Sequence, residues 1–273
     1  MVSHGCCWRK TMRKADFHTH TTFSDGHNSI HEVLEAAARA SIEVLAITDH
    51  FDPNDYRPAI AGLTEPALLD HFRAIREAAR NYDLQVLCGV ETTPLPDGSL
   101  ALSPGAITQC EVIITSCHYL PYDGELKPGE FFNDRYWSVY KECMLAMADG
   151  AGHILGHCED YLPIERLIHG LATTYTQRRT ICLEIVNRYL DRPYIEKLAA
   201  NLSRSGKMCE LHCATQTPRE WVARLLATKG VRFSPGSDAH AADQVGKTEW
   251  AYHFADSVNG NLCSEKKDFY GQR

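Results

Sequence analysis

The sequence predicts an α/β fold: a TIM-like barrel of about seven βα units in a single domain. Three observations carry this reading. Short apolar runs alternate with amphipathic segments along most of the 273 residues, the pattern of parallel strands joined by helices. Side chains of metal-ligand type fall in six small clusters, each just after an apolar run and so at the C-terminal end of a strand. In a closed barrel those ends meet at one mouth, whereas in an open sheet the first and last strands would stand too far apart.

The elements follow in order. Residues 14–18 read as the first strand. Ser29 opens a helix that runs to about Ala40, with Glu32 completing a capping box. Residues 44–48 form the next strand, 66–82 a helix by periodicity, and 85–90 and 112–117 two further strands. The turn composition of 95–100 separates the last two. A helix over 133–149 stops at Gly150, and 154–156 is a short strand. Residues 177–202 read as helical, with a kink or break at Pro193. A strand over 208–212 precedes Thr217-Pro218-Arg219-Glu220, a second capping box with proline at the first helical position. Residues 232–237 are the last strand. The barrel is expected to span 14–256, between an N-terminal extension of 1–13 and a C-terminal tail of 257–273.

Composition narrows the function classes. A formal net charge of −7 argues against a broad basic surface for nucleic acid. It leaves room for phosphate chemistry at bound divalent cations, which bring their own positive charge. The 11 cysteines are scattered, odd in number and without a C-x-x-C pair, so reduced thiols and a cytoplasmic location are expected. No apolar run is long enough to span a membrane, and the first thirteen residues lack the apolar core of a signal peptide.

The ligand-type residues are His18, His20, Asp25, His50, Glu91, His118, His157, Asp238 and His240. His18 and His20 are two apart, which puts both rings on one face of a strand, and Asp238 and His240 repeat the spacing. Glu91 has two oxygens with which to bridge two cations. A zinc finger packs its ligands locally. Ligands gathered from residue 18 to residue 240 point instead to a catalytic centre with open coordination positions.

His18-Thr-His20, Thr48-Asp-His50, the isolated His118 and Ser237-Asp-Ala-His240 resemble, in order, the four motifs of the PHP (polymerase and histidinol phosphatase) family. The resemblance runs from about Ala15 to Gly246. It implies a distorted seven-stranded βα barrel with two or three divalent metals, commonly zinc, manganese or iron. It implies a first site of His18, His20, Glu91 and Asp238, a second of Glu91, His118 and His157, and a third of Asp25, His50 and His240. Asp25 stands where some relatives carry histidine, which makes the third site harder and more suited to manganese or iron. The implied activity is hydrolysis of a phosphate monoester by a metal-activated hydroxide, similar to histidinol-phosphate phosphatases. Asp238 or His240 would serve as catalytic proton shuttle, and the partner would be a small phosphorylated substrate. Two alternatives stand beside it. One is a phosphodiesterase or 3′–5′ exonuclease on nucleotides or nucleic acid, as the PHP domains of DNA polymerases imply. The other is a non-catalytic metal-binding regulatory domain.

Beyond the metals, phosphate recognition needs a basic side chain. Arg57, Arg135, Arg178, Arg179, Arg219 and Lys247 are the candidates, and Lys247 is preferred because it closely follows the last motif. His212 ends a Glu-hydrophobic-X stretch where relatives often carry asparagine, and His27 follows the Asp25-Gly26 turn; both are candidate substrate contacts. Asp49 and Glu159 are placed to orient ligands. His153 is expected near the barrel bottom, and His31 and His71 on helices. Tyr119, Tyr122 and Trp137 would form either an aromatic wall or helix packing. Specificity is expected from loops 51–64, 119–135 and 158–175.

Overall fold

A computed structural model describes residues 12–55 and 57–269. Most of the expected N-terminal extension, with Cys6 and Cys7, lies outside the described residues. The strands are β1 (Ala15–Asp16), β2 (Val44–Ile47), β3 (Gln85–Thr92), β4 (Val112–Thr115), β5 (Ile154–Leu155), β6 (Met208–His212), β7 (Arg232–Gly236) and β8 (Asn261–Leu262). They form one parallel sheet in sequence order. The sheet curls until its first and seventh strands meet. Phe17 N–H donates to the Pro235 carbonyl at 3.0 Å, and His20 N–H to the Ala239 carbonyl at 2.9 Å.

The helices are α1 (Ile30–Arg39), α2 (Pro58–Ala61), α3 (Glu65–Ala79), α4 (Pro104–Gln109), α5 (Asp134–Asp149), α6 (Glu165–Ile168), α7 (Tyr175–Tyr189), α8 (Arg192–Ser205), α9 (Glu220–Thr228) and α10 (Glu249–Ser257). The capping box of Ser29 and Glu32 forms at α1, and Asn133 and Gly150 bound α5. None of the described helices is long and apolar enough to cross a membrane.

Three expectations gain detail or are corrected. The 177–202 stretch is broken and not kinked: two helices meet at residues 190–191, just before Pro193. Asp191 caps α8 by accepting from Tyr194 N–H, and Pro193 sits in the first turn, where a missing N–H costs nothing. The proline therefore starts a helix instead of kinking one. The capping box at Thr217 does not form: Arg219 is the N-cap of α9 and makes no side-chain cap. The Thr217 carbonyl instead turns back to accept from His212 N–H at 3.0 Å. Beyond residue 256 the described chain adds structure. β8 pairs with β7, adding an eighth strand outside the seven expected, and Phe269 packs edge-on against Phe17 at 5.0 Å.

The barrel interior is filled by alternate strand residues. Ala15 and Phe17, Val44 and Ala46, Val112 and Ile114 pack with Ile154 and Met208 in one buried cluster, with Phe269 against it. This is the period-two signature of inward-facing positions. A larger cluster between the sheet and α5, α7 and α8 contains Trp137, fully buried, with its indole N–H bonded to the Phe131 carbonyl at 2.7 Å. Trp137 thus belongs to the core and not to a substrate wall. His153 immediately precedes β5, at the bottom of the barrel, where its Nδ1 accepts from Ile113 N–H at 3.0 Å.

Candidate metal centre

Eight of the nine ligand-type residues lie at or within a few residues of the C-terminal end of a strand, Asp25 lies in the turn that follows β1, and the structure brings all nine together. Glu91 is at the middle, buried near the end of β3. One of its oxygens, Oε1, is 3.2 Å from His118 Nε2 and 2.9 Å from His157 Nε2. The other, Oε2, is 3.3 Å from His18 Nε2, 3.6 Å from His20 Nε2 and 3.1 Å from His50 Nδ1. Asp238 Oδ1 lies 3.1 Å from His20 Nε2 and 3.4 Å from His18 Nε2. Asp25 stands to one side, 3.5 Å from His50 Nε2 and 3.3 Å from His240 Nε2. His20 and His50 each face two of the groupings, so they stand between sites that the motifs suggested were separate.

These atoms fit divalent cations. His18 Nε2, His50 Nδ1 and Glu91 Oε2 are buried without hydrogen-bond partners, and buried polar atoms of that kind normally have one. Carboxylate and imidazole donors crowded this closely suit zinc, manganese or iron. Several overlapping groups have donor atoms close enough to share an ion, among them His20–Asp25–His50–His240, His18–His20–Asp238, His18–Glu91–His157, His50–Glu91–His118 and His157–His212–Asp238.

The electrostatics follow from crowding. Burial alone would push the Glu91 carboxyl up, but His118, His18, His50 and His157 hold it well below the usual range. Asp238 is likewise held well below it, against the effect of burial, by His18, His20 and His212. Burial lowers His20 to about 4, helped by His240 and His50, so its ring is neutral and able to bind a cation. His18 goes the other way: burial lowers it, but Glu210, Glu91 and Asp238 together raise it well above the ordinary value.

A second layer fixes the ligands. Asp49 accepts from Thr21 N–H at 2.7 Å and from the hydroxyls of Thr21 at 2.8 Å and Ser24 at 2.7 Å, which pins the turn carrying Asp25. His71, on α3, completes that network with Nε2 2.8 Å from Asp49 Oδ2. Asp16 accepts from Ser237 N–H at 3.0 Å and Gly246 N–H at 2.8 Å, joining the first and last motifs. His157 and Asp238 adopt positive φ of 48° and 52°, conformations that non-glycine residues hold mainly where function requires it.

The expected substrate contacts fare differently. His212 is buried, with Nδ1 2.6 Å from Thr215 Oγ1 and Nε2 3.2 Å from Asp238 Oδ2, so it supports a ligand from behind. His27 and Lys247 are exposed and do not line the cavity over the ligands. Glu159 is committed to Arg219, at 2.7 Å. The basic residue that does line the cavity is Arg57, with Nη1 2.5 Å from Asp25 Oδ2 and Nη2 2.8 Å from Asp55 Oδ2. Tyr161 and Glu165 line it too. Neither stood out in the sequence, because a lone tyrosine or glutamate carries no periodic or spacing signal.

Comparison with known proteins agrees with this geometry. The chain is 26% identical over 267 residues to a probable phosphatase of Acetivibrio thermocellus, covering 94% of this chain and 95% of that one. It is 34% identical over 106 residues to the DNA polymerase/3′–5′ exonuclease PolX of Bacillus subtilis, covering 38% of this chain but only 18% of the polymerase. Among solved structures it resembles the histidinol phosphate phosphatase of Lactococcus lactis, crystallised with zinc, L-histidinol and phosphate. That match has a TM-score of 0.61 and 16% identity, over 92% of this chain and 95% of the other. With its curled parallel sheet, its ligands at the strand ends and a match to the PHP domain model over residues 16–198, the chain belongs to the PHP domain family.

Proposed function

We propose that this PHP-family phosphoesterase hydrolyses a phosphate monoester of a small molecule, at a centre of two or three divalent metals. The carrying observation is Glu91, a buried carboxylate with both oxygens turned toward histidines and Oε2 left without a hydrogen bond. The cations would be held by His18, His20, Glu91 and Asp238, by Glu91, His118 and His157, and by Asp25, His50 and His240. When bound, they supply positive charge to the phosphoryl oxygens and lower the pKa of water.

The protein's own residues do the rest. A cavity of about 230 Å³ over the ligands is lined by Arg57, Tyr161 and Glu165 as well as by the ligands themselves. Arg57 is held in place by Asp25 and Asp55 and offers its guanidinium to phosphoryl oxygens. In the reaction the P–O bond to the leaving group breaks, water supplies the new oxygen on phosphorus, and a proton reaches the leaving oxygen. Asp238 and His240 both line the cavity. The His240 side chain is 32% exposed and that of Asp238 is 7% exposed, so His240 is the better placed to exchange that proton with solvent.

The test is steady-state hydrolysis of p-nitrophenyl phosphate against bis-p-nitrophenyl phosphate by manganese- or zinc-loaded protein. A kcat/KM preference for the monoester of about tenfold or more is expected. A preference for the diester, or hydrolysis of neither compound nor of any small-molecule monoester, would overturn the proposal.

A further inference from the structure

His212 stands outside the nine ligand residues, yet its surroundings are those of a ligand. It ends β6 and is 1% exposed. Its Nδ1 is 2.9 Å from Asp160 Oδ2 and 2.6 Å from Thr215 Oγ1, and the Thr215 hydroxyl donates to the same Asp160 oxygen. Its Nε2 is 3.2 Å from Asp238 Oδ2. His18 is wired in the same way, with Glu210 Oε1 2.6 Å from Nδ1 and Asp238 Oδ1 3.4 Å from Nε2. A carboxylate at one ring nitrogen, turning the other toward a cation, is the usual support of a metal-binding histidine.

The contact through which His212 supports Asp238 is also one that a cation can enter. Asp160 and Asp238 are both acceptors, and a neutral imidazole has a single N–H to give. With the proton on Nδ1, a lone pair on Nε2 faces Asp238 Oδ2, and a cation or a second proton must lie between them. Two donors held at about 2.0–2.1 Å by one tetrahedral ion stand roughly 3.3–3.4 Å apart, close to the 3.2 Å found here. His157 supplies a third donor, since one ligand atom from each of His157, His212 and Asp238 lies within 4.8 Å of the others. Asp160 faces this ring too, with Oδ1 3.8 Å from His157 Nδ1. We propose that His212 is a tenth metal ligand and that His157, His212 and Asp238 form a further position for a divalent cation. Asp238 then bridges two cations, with Oδ1 toward His18 and His20 and Oδ2 toward His212. His157 has one lone pair to give, so this position competes for it with Glu91 and His118. The centre therefore has one cation with two alternative seats, both reached from the cavity that Glu91, His118, His157 and Asp238 line. The proposal rests on the metal-centre reading above and is independent of the substrate.

Metal content per chain tests it, by elemental analysis after loading with zinc or manganese and gel filtration. The proteins compared are the native chain, His118→Ala, His212→Asn and the double variant. Asparagine keeps an N–H donor for Asp238, so the support survives and the ligand is lost. Each single variant should hold as much metal as the native chain, because the other seat remains, and the double variant should hold about one cation fewer. His212→Gln gives a second double variant if the asparagine one does not fold. In the cobalt(II) form of His118→Ala, the Nδ1–H of His212 should give a paramagnetically shifted, exchangeable proton signal, and the double variant should lack it. A double variant that holds the same metal as His118→Ala overturns the inference and leaves the phosphatase reading as it stands. The expected pattern, in a native chain that hydrolyses no monoester, upholds the inference and removes the phosphatase reading.

Discussion

Glu210 Oε1 lies 2.6 Å from His18 Nδ1, with both side chains buried. The contact fixes the imidazole so that Nε2 is the nitrogen turned toward Glu91 and Asp238. The other Glu210 oxygen accepts from His157 N–H at 3.2 Å, so one carboxylate braces ligands from two strands. The space for it is made by Gly236, where a Cβ would overlap Glu210 Oε1 and come within 2.9 Å of His18 Cβ.

Replacing this brace should loosen the metals without removing a ligand. Glu210→Gln is expected to weaken metal affinity by about 10- to 100-fold. Gly236→Ala should act in the same direction by pushing Glu210 aside. Competition with a chromogenic chelator measures it, and unchanged affinity in both variants would show that Glu210 does not hold His18.

Two histidines separate the ligand reading from mere burial. His20→Ala should abolish hydrolysis and lower bound metal, because His20 faces Asp238 and Glu91 at the mouth. His153→Ala should keep both, since it lies at the other end of the barrel. It should still cost about 1–2 kcal/mol of stability by leaving Ile113 N–H without its acceptor. Metal content by elemental analysis beside a urea melt distinguishes the two. Full activity in the His20 variant would sink the mechanism.

The metal-ligand candidates were legible in the sequence because all but Asp25 follow closely on an apolar strand, and a parallel barrel sends such ends to one mouth. The supports and the substrate side were less so. The partnership of Glu210 with His18 joins residues 192 apart, and that of His71 with Asp49 joins a helix face to a strand end. Neither leaves a periodic trace. Lys247 looked right by proximity to the last motif, yet the chain turns it to solvent, while Arg57 reaches the cavity from a loop. β8 went unseen because it is two residues long, with Asn261 exposed. At Pro193 the sequence left kink and break open, because a proline in the first turn of a new helix looks, in sequence, the same as one inside an old helix.

Metal removal should destabilise the fold, since His18, His50 and Glu91 keep buried atoms without hydrogen bonds. At free metal about 100-fold above Kd, the bound state gains roughly 2.7 kcal/mol, which for a chain of this length corresponds to a drop of about 5 °C in Tm on chelation. Calorimetry with and without chelator, after metal loss is verified, checks this. An unchanged Tm would mean that the cluster is not integral to the fold.

The last prediction concerns pH and a group remote from the metals. Lys207 precedes β6, is 3% exposed, and donates to the Met147 and Ala151 carbonyls at 2.5 Å each and to the Thr115 hydroxyl at 3.1 Å. Burial pushes its pKa down to about 7, because none of its acceptors is a carboxylate. Below about pH 7 the ammonium is charged in both folded and unfolded chains, and the burial penalty is present in full. Between about pH 7 and 10 the unfolded chain binds more protons than the folded one, so stability rises with pH across that window. Compared with Lys207→Met, the native chain should gain about 1–2 kcal/mol from pH 7 to pH 9. The three oxygen acceptors favour the charged form and keep the gain below the limit of one proton over two pH units. The acceptors stranded by methionine lower the variant's stability at every pH and so do not alter the slope. Urea unfolding of both proteins at pH 7, 8 and 9 gives the difference, in which the pH dependence of metal binding cancels. A flat difference would mean that Lys207 keeps its proton in the fold, and that two carbonyls and a hydroxyl suffice to hold a buried ammonium.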